Sequence, residues 1–268
     1  MIEIIETELS QIEESRELYF SSLPECQECF MEMLVNEGKY YIISINSQKA
    51  GYAIASIDKF IAKTQDKILI EFYLHDRFIP QSEEVFSKIL KELSINKIYC
   101  KSYDALLLSS CFLKSMPYKV FGRLFRLSDS STKYHIPLLY KHRLAEIDDY
   151  DFLLSQGDEL YDTPEELKDL IKQKTITLFY HNDELVGCGY KIPLNSKKEI
   201  FDIGMWTNPK YRGKGIATYI ISFLKYECIE NGKTPICACA KDNTYSMKTL
   251  QKNGFISKYN LIEFENNL

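Results

Sequence analysis

The residues best suited to bind a small anionic group lie in the segment 207–220, which reads TNPKYRGKGIATYI. Gly213 and Gly215 carry no side chain, so backbone N–H groups there can approach an anion closely. A helix predicted to begin directly after them leaves its first N–H groups unpaired and carries partial positive charge at that end. Arg212 and Lys214 add two cations to the loop. The segment therefore predicts a site for phosphate oxygens.

Spacing argues against two other nucleotide-binding loops. A Walker loop requires Gly-Lys-Ser/Thr after four spacer residues, and the sequence has none here. A dinucleotide-binding fingerprint requires a third glycine and a parallel βαβ unit, and that glycine is missing. A glycine turn with only a structural role is the remaining alternative.

The segment resembles the cofactor loop of the GNAT N-acetyltransferase superfamily. Residues 212–217, RGKGIA, match the signature R/Q-x-x-G-x-G/A, and residues 208–211, NPKY, resemble its usual lead-in. Downstream, residues 243–246 (NTYS) and 252–255 (KNGF) resemble the second cofactor segment and its K-x-G-F close. Val186-Gly187 fits the central strands of the family. The resemblance covers about half of the chain.

The resemblance implies a mixed, mostly antiparallel sheet with helices on both faces, which opens into a V after the strand that holds residues 205–207. It also implies acetyl-CoA as a cosubstrate. Backbone groups of Trp206 and Thr207 would bind the pantetheine arm, and Asn243 and Ser246 would lie near its end, unless Asn243 only caps the next helix. The pyrophosphate would be bound by Arg212, Gly213, Lys214, Gly215, Ile216 and Ala217.

In the family an amine attacks the thioester directly, so a base must take its proton, because an alkyl ammonium has a pKa of about 10.4. Asp202 and Glu199 lie on the strand that leads into the loop, and Asp202 is preferred because it lies in an apolar stretch. A surface role for either acid is the alternative. The oxyanion would be held by a backbone N–H near Met205 or Trp206. No cysteine has a recognisable histidine partner, so covalent catalysis is not predicted.

The family often uses a tyrosine on its second cofactor helix, seven residues after the asparagine, to protonate the departing thiolate. Here that position is Leu250. Tyr245 lies five residues earlier, about 140° away around the helix axis, and should face elsewhere. We therefore expect no tyrosine acid from this helix.

The order of predicted elements repeats, and the fold class expected is α+β, as two tandem GNAT-like folds. Residues 1–130 would form a degenerate GNAT-like domain and residues 134–268 the N-acetyltransferase domain, joined by the polar segment 128–134. In the first half, residues 74–82 (LHDRFIPQS) replace the cofactor loop and contain no glycine. Bulky side chains would block a phosphate, and Pro80 has no N–H to donate. This half is expected to be inert in catalysis.

Composition limits the remaining possibilities. The chain has 268 residues, 45% of them hydrophobic, and a net charge of −5, which gives no indication of nucleic-acid binding. No apolar run approaches the ~20 residues of a membrane span, and the acidic N-terminus does not resemble a signal peptide, so a cytoplasmic location is expected. The eight cysteines lack the spacing of a zinc site and are interpreted as reduced, structural thiols, with no metal predicted.

The predicted function is acetyl transfer from acetyl-CoA to a primary amine, on a small molecule or a peptide. Two alternatives stay open, namely a CoA-binding module without activity and a transferase of another acyl group. Residues 1–37 contain ten acids and one base, Arg16. They would attract a cationic acceptor or simply form solvated helix faces. The oligomeric state is left open.

Overall fold

The structure is a computed structural model of the chain, and it describes residues 1–57, 64–128, 140–156, 161, 163–194 and 199–267. The chain divides into two compact units. Unit 1 comprises residues 1–123 together with 259–268, and unit 2 comprises residues 124–258. The predicted linker at 128–134 lies, apart from Ser128, outside the described residues, so the expected boundary there stays a prediction.

Unit 1 is a mixed sheet with helices packed against it. Its strands run in the order β1-β2-β3-β4-β5, followed by the end of β12. All neighbouring pairs are antiparallel except β4 and β5, which are parallel. The strands are β1 Ile2–Thr7, β2 Lys39–Ile45, β3 Gln48–Ile57, β4 Lys67–Leu74, β5 Lys97–Lys101 and the first part of β6 Tyr118–Leu127; the helices are α1 Glu13–Ser22, α2 Cys29–Asn36, α3 Ser82–Glu92 and α4 Ala105–Leu113.

Unit 2 repeats this arrangement. Its strands run in the order β7-β8-β9-β10-β11, followed by the end of β6. Here too the first four strands are antiparallel to one another, and β10 is parallel to β11. The strands are β7 Lys141–Leu144, β8 Ile176–His181, β9 Glu184–Pro193, β10 Ile200–Thr207, β11 Thr234–Ala240 and the first part of β12 Phe255–Glu265; the helices are α5 Tyr150–Leu154, α6 Pro164–Lys172, α7 Ile216–Glu230 and α8 Thr244–Lys252.

The repeat extends to single residues. In unit 1, Gly51 on β3 lies opposite Leu74, the last residue of β4. In unit 2, Gly187 on β9 lies opposite Thr207, the last residue of β10. The predicted tandem α+β fold is confirmed.

The sheet of unit 2 has an apolar core on each face. Because side chains alternate along a strand, Ile203 and Trp206 of β10 lie on opposite faces. Ile203 packs with Ile220 and Leu224 of α7. Trp206 packs with residues of α5 and α6, including Leu167. We call these the α7 face and the α6 face of unit 2.

Two strands were not predicted, β1 and β7. Each pairs with a single neighbour among the described residues, as an edge strand does. All four residues of β7 are exposed, and three of them, in KHRL, are basic or titratable. Charged edge strands protect a sheet from further pairing but have no apolar alternation that a sequence pattern can detect. No helix in the described part of the chain is long and apolar enough to span a membrane.

Candidate active site

A cleft forms in unit 2 where β10 and β11 diverge. The two parallel strands are in register only at Ile200, Phe201 and Asp202 of β10. From there to Thr207, β10 stays paired with β9 alone. The two strands therefore separate from residue 203 onward, earlier than the expected V after the strand that holds residues 205–207, and the separation exposes one backbone edge of β10.

The cleft has a volume of about 280 Å³ and is lined by residues of four elements, namely β9, β10, β11 and the region of α8. Polar and apolar atoms contribute equally to its wall, although most of the lining residues are apolar. The lining residues are Tyr190, Ile203, Gly204, Met205, Ala238, Cys239, Ala240, Asn243, Ser246 and Leu250. A concave, mostly apolar site with a few polar groups is the usual form of a small-molecule site.

The alternation of hydrogen bonds shows which backbone groups face the open edge. Asn208 N donates to Val186 O of β9, and Leu194 N donates to Ile200 O. The backbone N–H and C=O groups of even-numbered residues of β10 are therefore directed at β9. Thr234 N of β11 donates to Glu199 O, on the opposite edge. Odd-numbered residues such as Met205 and Thr207 therefore present their backbone groups to the cleft. This corrects the expectation for Trp206, whose backbone groups are directed at β9.

Thr207 also offers a side-chain group. Its Oγ1 is buried and has no hydrogen-bond partner among the described residues. A buried hydroxyl without a partner costs free energy, so such an atom at the end of an open strand fits a site that a polar ligand completes.

The glycine loop leads from β10 into α7. Gly213 and Gly215 have φ of 78° and 82°, a region that side chains other than glycine rarely adopt. A Cβ on either residue would meet nothing within 4 Å, so the space above both is open. Gly215 caps α7 without a side-chain hydrogen bond from any described residue. The 15-residue helix α7 thus directs its first N–H groups at this open space.

The turn before the loop is tied to β9. Asn208 Oδ1 accepts from Lys210 N at 3.1 Å, and Asn208 Nδ2 donates to Leu185 O at 3.0 Å. The Tyr211 hydroxyl hydrogen-bonds to the carboxylate of Glu184. The Asn-Pro-x-Tyr lead-in therefore anchors the loop.

Cationic side chains flank the loop. Arg212 Nε donates to Thr207 O at 3.3 Å. Lys214 Nζ lies 5.0 Å from the centre of the Tyr211 ring. Together with the helix N-terminus, these groups give the loop the positive charge that suits a phosphate anion.

Two glycines on β9 let α7 pack closely on the sheet. A Cβ on Gly187 would lie 2.8 Å from Ile220 Cδ1, and a Cβ on Gly189 would lie 2.7 Å from Leu224 Cδ1. Any larger residue would push α7 away. These glycines set the distance between β9 and α7.

Residues of the second segment lie at the cleft. Asn243 and Ser246 both line it, and the Asn243 side chain also caps α8 by accepting from Ser246 N at 3.0 Å. Asn243 therefore caps α8, as the alternative interpretation expected, and also lines the cleft. Leu250 lines the cleft, whereas Tyr245 is 86% exposed.

The two candidate bases differ in placement. Asp202 is half-buried at the point of divergence, and its position on the strand places it on the α6 face, two residues from Gly204. Glu199 is exposed and directly precedes β10. Neither acid is among the described residues that line the cleft. Asp202 lies nearer than Glu199 to the cleft-lining residues of β10 along the strand, and the role of each acid stays a prediction.

Sequence reasoning missed Tyr190, which lines the cleft from β9. It also missed Glu166 on α6, whose charge contributes to raising the pKa of the Tyr190 phenol. In the sequence, Tyr190 resembles the other apolar residues of a hairpin. Only the register of β9 against β10 shows that it lies at the cleft.

The thiols near the site are poorly suited to nucleophilic attack. Burial raises the pKa of Cys188 to about 12. Burial, together with the charge of Asp202, raises the pKa of Cys237 well above its usual value. Both cysteines are therefore protonated near neutral pH, which agrees with the absence of a predicted covalent step.

In unit 1 the place that corresponds to Gly204 is filled by a charged side chain. By the register of the two hairpins, Glu71 of β4 is the counterpart of Gly204. Glu71 is fully buried and accepts hydrogen bonds from Arg16 Nη2, Tyr52 Oη and Gln27 Nε2, each at 2.8 Å. The segment that replaces the glycine loop is a 3₁₀ helix, Asp76–Gln81, which continues into α3.

Comparison with known proteins agrees with the fold. Residues 8–127 match the family model described as "Acetyltransferase (GNAT) domain", and residues 142–255 match the one described as "Acetyltransferase (GNAT) family". The chain belongs to the GNAT acetyltransferases and contains two domains of that family in tandem, a membership that implies acyltransferase activity. No curated protein sequence matches it.

The similarity to solved structures extends over nearly the whole chain. An acetyltransferase from the GNAT family of Colwellia psychrerythraea is similar with a TM-score of 0.84 at 20% identity, over 99% of each chain. A tandem GNAT protein from the clavulanic acid biosynthesis pathway has a TM-score of 0.68 at 10% identity, over 99% of this chain and 98% of that one. A GCN5-related N-acetyltransferase from Sphaerobacter thermophilus has a TM-score of 0.66 at 12% identity, over 99% and 95%.

Proposed function

We propose that this protein transfers an acetyl group from acetyl-CoA to a primary amine by direct attack of the amine in a ternary complex. The observation that carries the proposal is the open edge of β10, which leads within unit 2 into the glycine loop and the N-terminus of α7. Acetyl-CoA, when bound, supplies an activated thioester carbonyl.

The acyl donor would be held by groups along this edge. Thr207 and Met205 would offer backbone groups, and the Thr207 hydroxyl would gain a partner. Asn243 and Ser246 line the far wall of the cleft. The pyrophosphate would be bound by Arg212, Gly213, Lys214, Gly215, Ile216 and Ala217, since the space above both glycines is open.

Asp202 is the proposed general base, acting directly or through water. Its position on the α6 face, beside Gly204, is what favours it over the exposed Glu199. The Met205 N–H at the open edge is the proposed oxyanion donor, because the backbone of this residue is directed into the cleft. The acceptor is expected to be a small-molecule or peptide amine.

The test is release of CoA thiol from acetyl-CoA in the presence of kanamycin, spermidine or a lysine-containing peptide. Turnover with at least one amine supports the proposal, and the Gly215→Glu variant serves as the matched inactive control. Tight binding of acetyl-CoA with no turnover would instead indicate a CoA-binding module. Faster turnover of a longer acyl-CoA would indicate a transferase of another acyl group.

A further inference from the structure

Gly204 lies in the interior of β10, where a glycine has a cost. It offers no side chain for packing, and glycine loses more conformational freedom on folding than any other residue. In a strand interior, a glycine usually marks a bulge or bend, or a place that another backbone or a ligand approaches closely. The geometry around Gly204 distinguishes between these reasons.

The described residues around Gly204 do not require a glycine. Residues 201–207 of β10 pair one to one with residues 187–193 of β9, without a bulge, and Gly204 is not among the glycines with positive φ. A Cβ built on Gly204 would lie 3.5 Å from Tyr190 Cδ2 and 3.8 Å from Tyr190 Cβ, which are ordinary contact distances. Apart from its chain neighbours, no other described heavy atom would lie within 4 Å. Close approach of a ligand is the reason that remains.

Unit 1 shows that this position of the strand can hold a large side chain. By the register of the two hairpins, the counterpart of Gly204 is Glu71, which is fully buried. In unit 2 the corresponding space is part of the cleft, which Gly204 lines and to which it is partly exposed. A side chain at residue 204 would therefore occupy the cleft.

The face of the strand indicates which part of a substrate would pass Gly204. Side chains alternate along β10, so Gly204 and Asp202 share the α6 face, whereas Ile203 and Met205 lie on the α7 face. The groups proposed to hold acetyl-CoA lie at the open edge of β10 and on α8. An amine that gives its proton to Asp202 would instead reach the thioester across the α6 face, over Gly204.

We propose that Gly204 is a specificity-determining residue for the acceptor amine. Its missing side chain leaves the space through which the carbon that bears the attacking nitrogen passes, with the ring of Tyr190 as the adjoining wall. This inference rests on the proposed acetyl transfer. Because the backbone and an aromatic ring bound this space, it suits the aliphatic carbon next to an amine, as in a polyamine or a lysine side chain.

A size series at residue 204 tests the assignment. Gly204→Ala should raise the KM for the amine about tenfold or more, because the added methyl group overpacks the space that the acceptor uses. Gly204→Val should lower turnover further. Calorimetry should show the Kd of acetyl-CoA within about twofold of the parent in both variants, since the proposed donor groups are unchanged.

Thermal unfolding separates this role from a structural one. Gly204→Ala should have a Tm equal to or above that of the parent, because alanine loses less freedom on folding and meets no close contact. The matched contrast is Gly189→Ala on the neighbouring strand, whose Cβ would lie 2.7 Å from Leu224 Cδ1 and which should lower the Tm.

Three results would overturn the assignment. The first is a KM for the amine within about twofold of the parent in Gly204→Ala, and the second is a loss of Tm equal to that of Gly189→Ala. The third is a changed preference between acetyl-CoA and propionyl-CoA with no change for the amine, which would put Gly204 beside the acyl group. If the parent itself releases no CoA with kanamycin, spermidine or a lysine-containing peptide, it is the proposed acetyl transfer that fails.

Discussion

Gly204 and Tyr190 lie directly opposite each other on β10 and β9, and a Cβ on Gly204 would lie 3.5 Å from Cδ2 of the tyrosine ring. In unit 1 the corresponding pair is Glu71 and Ile54. One hairpin therefore leaves space beside the diverging strands, whereas the other fills that space with a buried carboxylate. This difference is the basis for expecting one acetyl-CoA site per chain.

Substitution of Gly215 by glutamate should abolish binding of acetyl-CoA. A carboxylate about 4 Å from a phosphate charge costs ~4 kcal/mol at an effective dielectric constant of 20, so affinity should fall about 10³-fold. Calorimetry measures both the affinity and the number of sites. Two sites in the parent protein would contradict the assignment.

Gly232→Glu is the matched control for that variant. Gly232 also has a positive φ, of 66°, and open space above it, but it lies just after the C-terminal end of α7. Glutamate at this position should have a similar conformational cost and should leave the affinity for acetyl-CoA unchanged. Equal losses in both variants would show that backbone strain, not the loop, is responsible.

Asp202→Asn should lower kcat by about 10²-fold or more with the Kd of acetyl-CoA unchanged, because the amine proton would lose its acceptor. Activity should recover in part between pH 9 and pH 10, where more of an amine with a pKa of about 10.4 is already deprotonated. Glu199→Gln, at an exposed position on the same segment, should have little effect. Steady-state kinetics across this pH range measure both, and a larger loss from Glu199→Gln would reverse the assignment.

The buried carboxylate of unit 1 should contribute strongly to stability. Glu71→Gln leaves the buried guanidinium of Arg16 with one carboxylate fewer, and breaking a buried ion pair costs about 3–5 kcal/mol. Glu6→Gln removes a partner of Lys39 on the surface, where both side chains are more than half exposed, and should cost much less. Hydrogen exchange of amides in β3 and β4 measures the loss of unfolding free energy in each variant. Similar losses in the two variants would contradict the expected role of the buried Arg16–Glu71 ion pair.

The same substitution should change how stability depends on pH. Burial alone would raise the pKa of Glu71, but the charge and hydrogen bonds of Arg16 outweigh it and the pKa is lowered. A lowered folded pKa gives stability that is present above the unfolded value of about 4.3 and is lost as pH falls through the folded value. The difference between parent and Glu71→Gln should therefore be constant from pH 5 to pH 7 and shrink below about pH 4. A constant difference down to pH 3 would contradict this.

The chain should unfold as a cooperative whole. Residues 261–265 pair with β5 in unit 1, where Leu261 lies opposite Lys101 and Glu265 lies opposite Lys97. A variant ending at Lys258 should therefore lose exchange protection in β5 although β5 itself is intact. Limited proteolysis that releases a stable, active fragment beginning near residue 134 would contradict the expectation.

Sequence reasoning predicted most elements and the glycine loop because their signals are local. Strand β10, helix α7 and helix α8 follow from apolar periodicity and from glycine and asparagine at their ends. The positive φ of Gly213 and Gly215 is what a loop at a helix N-terminus requires, and the residue types indicate it directly.

The features that were missed depend on pairing between distant residues. The direction of the Trp206 backbone follows from hydrogen bonds to β9, which no local pattern reveals. The place of Tyr190 in the cleft depends on register and on the divergence of β10 from β11. Arg16 and Glu71 are 55 positions apart, so the sequence showed only an acidic N-terminal segment with one base and gave no sign of this ion pair.

Unit 1 contains residues 259–268, which follow the whole of unit 2 along the chain. During translation, β5 therefore leaves the ribosome long before its partner segment in β12 exists. At ~5–20 residues per second, synthesis of residues 124–258 takes on the order of 10 s. Throughout that interval one edge of a newly formed sheet has no partner strand, and an exposed edge is a template for pairing with other chains. The first half of this protein is thus expected to depend on the second for its own completion, so the order of synthesis is not the order in which the two units finish folding.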